Sequence, residues 1–432
     1  MNYQYKQITL SNILYTFAMS GPCYNMEDIN TTHNVRSKKY EFDDRVYDIY
    51  NYEREFICDD NDRLRLCKSL IYDNGELLSM APPKSISYKK FTDLFEYDKE
   101  NIEISQLVEG TMINMFYNHN NNKWHISTRG AVGGQYFYFR NQYYQDKYNQ
   151  CRQISFYDMF MEALQAGEKE ELNDLTIMKL FDKEHTYSFV LQHPDNHIVI
   201  PIDRPRLYLV AIHKMAIENN IPVCISIDKS QFKDFEFVNV LSGIIDIPEL
   251  YNDINSYDEA IEKYSSIDTT PNDVGIVFYH KNMGVRSKVL CHRYETMKTL
   301  RGNNPNIQFQ YICLRRTNKV NDFLNYFPRY KKLFYTFYTQ YRDFMKNVHN
   351  SYIKCYIKKT GQRISNKYMP HIYRIHQECF VPYMLKGEKK IIKIDDVYKY
   401  FDTRNIGEIL YALNYDIRNV MDEKIESEEK DN

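Results

Sequence analysis

The sequence predicts an α+β protein, with a core of antiparallel sheets flanked by helices and then a mainly helical C-terminal domain. Two observations carry this. Upstream of Arg315, apolar residues fall in short runs bounded by Gly, Asn and Pro, such as Leu77-Leu78, Met112 to Tyr117, Tyr187 to Leu191 and Gly275 to Tyr279; such runs read as strands. Downstream, apolar and aromatic residues recur at helical spacing through LNYFPRYKKLFYTFYTQYRDFMKNVHNSYIKCYIKK, with few breakers after Pro328, which predicts one or two long helices.

In chain order, residues 1–60 are expected to be an N-terminal extension packed on the core, 61–314 the sheet-rich core, and 315–420 a basic helical domain. Residues 421–432 are expected to form an acidic tail with too little apolar surface to offset its ordering entropy. A chain of 432 residues has room for two or three such domains. The basic start and cleavage pattern of a signal peptide are weak or missing at the N-terminus, and no apolar run reaches the length of a membrane span. A soluble, mature chain with no membrane partner is therefore expected. Nine cysteines, an odd number with no C-x-x-C pair, argue against a disulfide framework or a zinc ribbon and for a reducing compartment. The cytoplasm is the expected location. His125, His193 and His197 are spaced too irregularly for a metal site, and no metal is assigned.

The formal net charge of −2 hides a segregation. From Arg315 to Arg374 there are fourteen Lys or Arg against two acids, Asp322 and Asp343, a local charge of +12. A solvated helix face ordinarily mixes signs, so this field attracts polyanions or an acidic protein partner. The cations lie among Tyr326, Tyr330, Phe334, Tyr335, Phe337, Tyr338, Tyr341, Tyr352 and Tyr356, and cations beside stacking rings suit single-stranded RNA or an RNA end. Many of those rings must also be core. Arg315, Arg316, Lys319, Arg329, Lys331, Lys332, Arg342, Lys346, Lys358 and Lys359 are the assigned RNA-binding residues.

Three blocks in order resemble the RNA ligase family of the phage type, within the covalent nucleotidyltransferases. They are RLRLCKSLIYDNGELLSMAPPKSISYKKF (Arg63 to Phe91), LVEGTMINMFYNHNNNKWHISTRGAVGG (Leu107 to Gly134) and HTYSFVLQHPDNHIVIPIDRPRLYLVAIH (His185 to His213). Weaker similarity continues at DVGIVFY and SKVLCHRY. The resemblance implies a nucleotidyltransferase core over about Asp62 to Leu314. In such ligases a lysine amine attacks the α-phosphate of ATP, glutamates bind ribose and metal, and two later lysines neutralise phosphates.

Residue by residue, Glu109-Gly110-Thr111 fits the D-G-S of the nucleophile motif, which puts Leu107 where the lysine belongs. Val190 stands for a family glutamate, Val274-Gly275 for E-G, and Lys288-Val289-Leu290 for K-x-K. Four apolar replacements at separately anchored motifs point to a catalytically degenerate member, and a leucine cannot form a phosphoramidate. The resemblance places Glu109, Gly110, Thr111, Arg129, Gly130, Gly133, Gly134, Lys288 and Arg293 along the nucleotide cleft. Glycines there either allow close approach to a phosphate or simply make a loop. Lys84, in a proline-fixed turn, is the candidate for a relocated nucleophile, ahead of Lys68 and Lys123.

Three readings follow. The first is a non-catalytic RNA-binding protein that uses the ligase frame to hold an RNA 5′ end or cap, with a large DNA virus as its source. The second is an active ATP-dependent RNA ligase or capping-type nucleotidyltransferase with a relocated lysine, requiring ATP and Mg. The third is an interaction subunit of a larger viral complex.

Overall fold

The computed structural model describes residues 13–14, 22–136, 154–167, 170–196, 198–266, 273–302, 304 and 306–418. The acidic tail and His197 lie outside them. The chain divides into two compact units, the first ending at Lys298 and the second running from Thr299.

The first unit is built on three sheets, as the strand-like runs predict. Among the described residues the largest has nine strands, ordered Ile13–Leu14, Cys23–Asn25, Ile221–Ser226, Arg206–Glu218, His185–Gln192, Thr111–Asn118, Lys123–Thr128 and Ala131–Val132, with Ile245–Asp246 alongside Arg206–Glu218. All pair antiparallel except the last. A small sheet is ordered Val285–Leu290, Gly275–His280 and Ile102–Gln106, and a third runs Val35–Phe42, Arg45–Tyr52, Leu70–Asp73 and Glu76–Met80.

Strand periodicity sorts the side chains of these sheets into two faces. In the large sheet Ile113, Met115, Phe189 and Leu191 point into the main core, packed with Phe160, Phe232 and Phe237. Their neighbours Met112 and Val190, paired across the strands, point the other way. The helix Phe156–Ala163 covers the core side, and its start is set by a capping box in which Ser155 and Asp158 exchange hydrogen bonds of 3.1 and 3.0 Å. In the small sheet Ile104, Ile276 and Phe278 pack on Phe91, leaving Val277 and Tyr279 on the opposite face.

The second unit is helical among its described residues, as the 3.6-residue spacing predicts. The helix Val320–Tyr326 stops before Pro328, and after one tight turn the long helix Lys331–Tyr352 begins; proline suits a first turn, where its missing N–H has no partner to lose. Leu333, Phe334, Phe337, Tyr341, Phe344, Met345, Val348 and Tyr352 form its buried seam.

Candidate functional site

The free faces of the large and small sheets enclose a cleft of about 820 Å³, its open mouth included. Met112, Val190, Ala211 and His213 come from the large sheet; Ser105, Val277, Tyr279, Arg286 and Lys288 from the small one; Leu107 and Val108 follow its edge strand; and Pro82 and Pro83 add a further wall. Leu107, Val190 and Lys288, assigned by three separate motifs, thus line one cavity.

The floor is apolar where covalent chemistry would need an amine and a carboxylate. Leu107 and Val190 are buried, and the Leu107 amide donates to the Gly275 carbonyl at 2.9 Å, tying the two motif strands together. Val274 is buried beside this junction.

The wall carries cations. Arg286 and Lys288 are two residues apart on one strand, so both face the cleft, opposite Tyr279 and Val277 respectively. The second cation of the pair is therefore Arg286 rather than the residue at 290. Arg286 donates to the carbonyls of Pro83 at 2.8 Å and Pro82 at 3.2 Å, which fixes the guanidinium without neutralising it. Lys68, between the helix Asp62–Leu66 and the strand Leu70–Asp73, joins this group. Burial, and then the charges of Arg286, Lys288, Arg129 and Lys84, hold its ammonium well below the ordinary lysine range. Lys84 is lowered by burial and then by Arg286. Lys288, which reaches solvent at the cleft mouth, is lowered by desolvation and then by Arg286, Lys84 and Lys298. His213 is pushed down to about 4 by burial and then by Arg286, so it is neutral at neutral pH.

Among the described residues no carboxylate forms an ion pair with Lys68, Lys84, Arg286 or Lys288. Asp62 pairs instead with Arg65 at 2.7 Å, and Glu103 with Lys229 at 2.6 Å. Gathering like charges where water is partly excluded is unfavourable unless an opposite charge joins them. An anion entering from the mouth would supply it.

The other cleft assignments fall into a supporting layer. The Glu109 carboxylate is buried and accepts from the backbone N–H of Ile198 at 3.0 Å, Val199 at 2.8 Å and Ile200 at 3.3 Å. Tyr294 also hydrogen-bonds to it, and burial followed by the charge of Glu109 raises that phenol. Thr111 accepts from Asn196 at 2.9 Å. Gly110 lets its strand close on the next: a Cβ there would collide with the Leu191 carbonyl and lie 2.6 Å from a Val190 methyl. Arg129 stacks 4.6 Å over the Tyr52 ring and donates to Asn51 at 3.2 Å. The Gly130 carbonyl accepts from Lys38 at 3.5 Å. At Gly133, whose φ is +83°, a Cβ would collide with the Phe42 ring, so the close approach permitted there is by a protein side chain. Arg293 is exposed on the helix His292–Arg301. Lys123 pairs with Asp43 at 2.9 Å.

Two of the three candidate histidines, His125 and His193, make contacts within the protein. His125 is buried among Phe42, Tyr47 and Phe116 and pushed down to about 4, and His193 lies 3.0 Å from Glu162. Among the described residues no group of three potential ligands is placed to hold a metal, and no helix is long and apolar enough to cross a membrane.

Of the basic residues in the helical unit, Arg315 pairs with Asp402 at 2.7 Å and lies 4.3 Å over the Tyr341 ring. Arg316 donates to the carbonyls of Phe401 and Arg404. Arg342 lies 3.1 Å from its neighbour Asp343. Lys319, Arg329, Lys331, Lys332, Lys346, Lys358 and Lys359 are exposed and, among the described residues, pair with no acid.

No protein-family model matches the chain. One relative, an immediate-early protein ICP-46 homolog of Invertebrate iridescent virus 6, is 23% identical over 394 residues, covering 83% of this chain and 80% of the relative. Solved structures similar to the chain are ligases. A provisionally assigned ATP-dependent DNA ligase of Aquifex aeolicus matches 80% of this chain and 78% of its own at 10% identity, with a TM-score of 0.38. An archaeal ATP-dependent RNA ligase matches 64% and 62% at 10% identity and a TM-score of 0.37. An RNA ligase of Naegleria gruberi matches 64% and 86% at 9% identity and a TM-score of 0.32. At such scores the reading of the site rests on this chain's own residues.

Proposed function

We propose that this chain is a non-catalytic RNA-binding protein whose cleft holds a phosphorylated ligand, such as an RNA 5′ end or cap, without forming a covalent nucleotidyl intermediate. The observation that carries the reading is the composition of the cleft. Its floor is Leu107 and Val190, its wall carries Arg286 and Lys288, and Lys68 and Lys84 stand close enough to that wall to feel the charge of Arg286, none of the four ion-paired with a carboxylate among the described residues. Such a site attracts phosphates and offers an apolar face to a base, while no amine stands at the floor. The exposed, unpaired cations of the helical unit support RNA as the larger ligand. The viral relative fits an origin in a large DNA virus and action in the cytoplasm or at a virus factory.

Incubation with radiolabelled ATP or GTP and Mg is expected to give no protein-bound label stable to denaturation. Binding to RNA carrying a 5′-phosphate is expected to weaken steeply with salt, at a slope of about 0.7 per phosphate contact. A denaturation-stable adduct would overturn the reading.

A second reading has a specific observation behind it. Burial and neighbouring cations lower the amines of Lys84 and Lys68, which is how a lysine nucleophile is activated. Attack on the α-phosphorus of ATP would form an N–P bond, expel pyrophosphate and release the amine proton, with Mg as the expected metal. An adduct lost in Lys84→Ala or Lys68→Ala would establish it. Failure to bind any RNA, with a stable co-purifying acidic protein, would favour an interaction subunit.

A further inference from the structure

The long helix of the second unit turns a second, quite different face to solvent. Opposite its buried seam, Lys331, Tyr335, Tyr338, Arg342 and Lys346 follow one another at spacings of four, three, four and four residues, which places them in one stripe. Tyr335 is 70% exposed and Tyr338 49%. Their ring centroids are 6.5 Å apart with planes inclined by 37°, and the Arg342 guanidinium lies 5.6 Å over the Tyr338 ring. Lys331 and Lys346, at the two ends, are exposed and pair with no acid among the described residues. Asp343 beside the stripe is taken up by Arg342. The stripe is thus two open aromatic rings bracketed by cations.

We infer that this stripe is a stacking platform for single-stranded RNA, with Tyr335 and Tyr338 taking bases and Lys331, Arg342 and Lys346 following the phosphates. It deepens the RNA part of the reading above but rests on a surface independent of the cleft. The charge alone would suit any polyanion. The rings decide the class, because an acidic protein segment leaves two flat apolar faces uncovered, and a duplex keeps its bases stacked on one another. Only an unpaired strand offers anionic groups and free base faces together. From Lys331 to Lys346 the helix rises about 22 Å, which matches about six nucleotides of stacked strand.

The test uses the full chain and a fluorescent twelve-residue oligouridylate with a 5′-hydroxyl, so that a phosphorylated end plays no part. Tyr335→Ala/Tyr338→Ala is expected to weaken binding on the order of 30-fold with the salt slope unchanged, and Tyr335→Phe/Tyr338→Phe to bind as the parent does, because stacking needs only the ring. Lys331→Ala/Lys346→Ala is expected to lower the salt slope by about 1.4, since each phosphate contact contributes about 0.7. Equal affinity of the double-alanine variant and the parent would overturn the platform, and so would polyglutamate or duplex RNA binding as tightly as the oligouridylate. Because this probe has no phosphorylated end, failure of the cleft reading leaves the double-alanine result unchanged, and failure of the platform leaves the binding of a 5′-phosphorylated end unchanged, so the two failures give different results.

Discussion

Replacing Glu109 by alanine is expected to destabilise the first unit by about 3–5 kcal/mol, the cost of removing one side of a buried charged hydrogen-bond network. The carboxylate serves three consecutive amides, those of Ile198, Val199 and Ile200, of which the last two belong to buried residues and cannot turn to water once the side chain is gone. Each orphaned buried donor costs about 1–3 kcal/mol. Glu109→Gln keeps one acceptor oxygen but sets an N–H against an N–H, so a smaller loss of about 1–2 kcal/mol is expected. The single tryptophan, Trp124, is buried in the core of the same unit, so urea unfolding followed by its fluorescence reads the effect directly. Unchanged unfolding midpoints in both variants would show that the segment 198–200 is held by other means.

Lys68→Met is expected to act in the opposite sense on stability while damaging binding. In the folded protein the ammonium stands among Arg286, Lys288, Arg129 and Lys84 and is partly desolvated; an apolar chain of similar length relieves that repulsion, by about 1 kcal/mol or more. The pH dependence fixes the cause. A lysine whose folded value is depressed binds its proton less well folded than unfolded, so stability rises with pH between that lowered value and the ordinary value near about 10.4. Below the window both states are protonated and the full cost is present; above it both are neutral and the cost is gone. The stabilisation by Lys68→Met should therefore be largest below that lowered value and fade as pH rises toward about 10. Lys84 and Lys288 are lowered in the same direction, so part of the slope survives in the variant. Affinity for a 5′-phosphorylated RNA end should fall by roughly 10- to 100-fold, the value of a hydrogen bond to a charged group. A variant that is less stable and binds unchanged would make these cations structural. Stability gained where binding is lost is expected of groups positioned for a ligand rather than for the fold.

How far the site is legible in the sequence depends on which residues are asked about. Leu107, Val190 and Lys288 sit in recognisable blocks, and all three line the cleft. Arg286 could have been found by strand parity, since a cation two residues before Lys288 shares its face. Lys68 carries no such signal. It belongs to no helix or strand, and only the fold brings it beside a strand more than two hundred residues downstream. His213 is one of several polar residues on a long strand, and its face is set by the pairing of that strand with its neighbours. Glu109 reads as a cleft residue because its motif neighbours are, yet its side chain is spent on the amides of a different block.

The sequence by itself determined the classes of the elements, through periods of two and 3.6. It also determined the +12 segment and the absence of an amine at Leu107. Those properties are local, and a local pattern survives whatever the chain does elsewhere. Only the tertiary structure decided which parity of each strand meets the cleft, which cations gather without a carboxylate, and which tyrosines of the long helix face outward rather than into the seam. Each of these depends on register and packing partner, and a one-residue change of register would send every side chain of a strand to the other face.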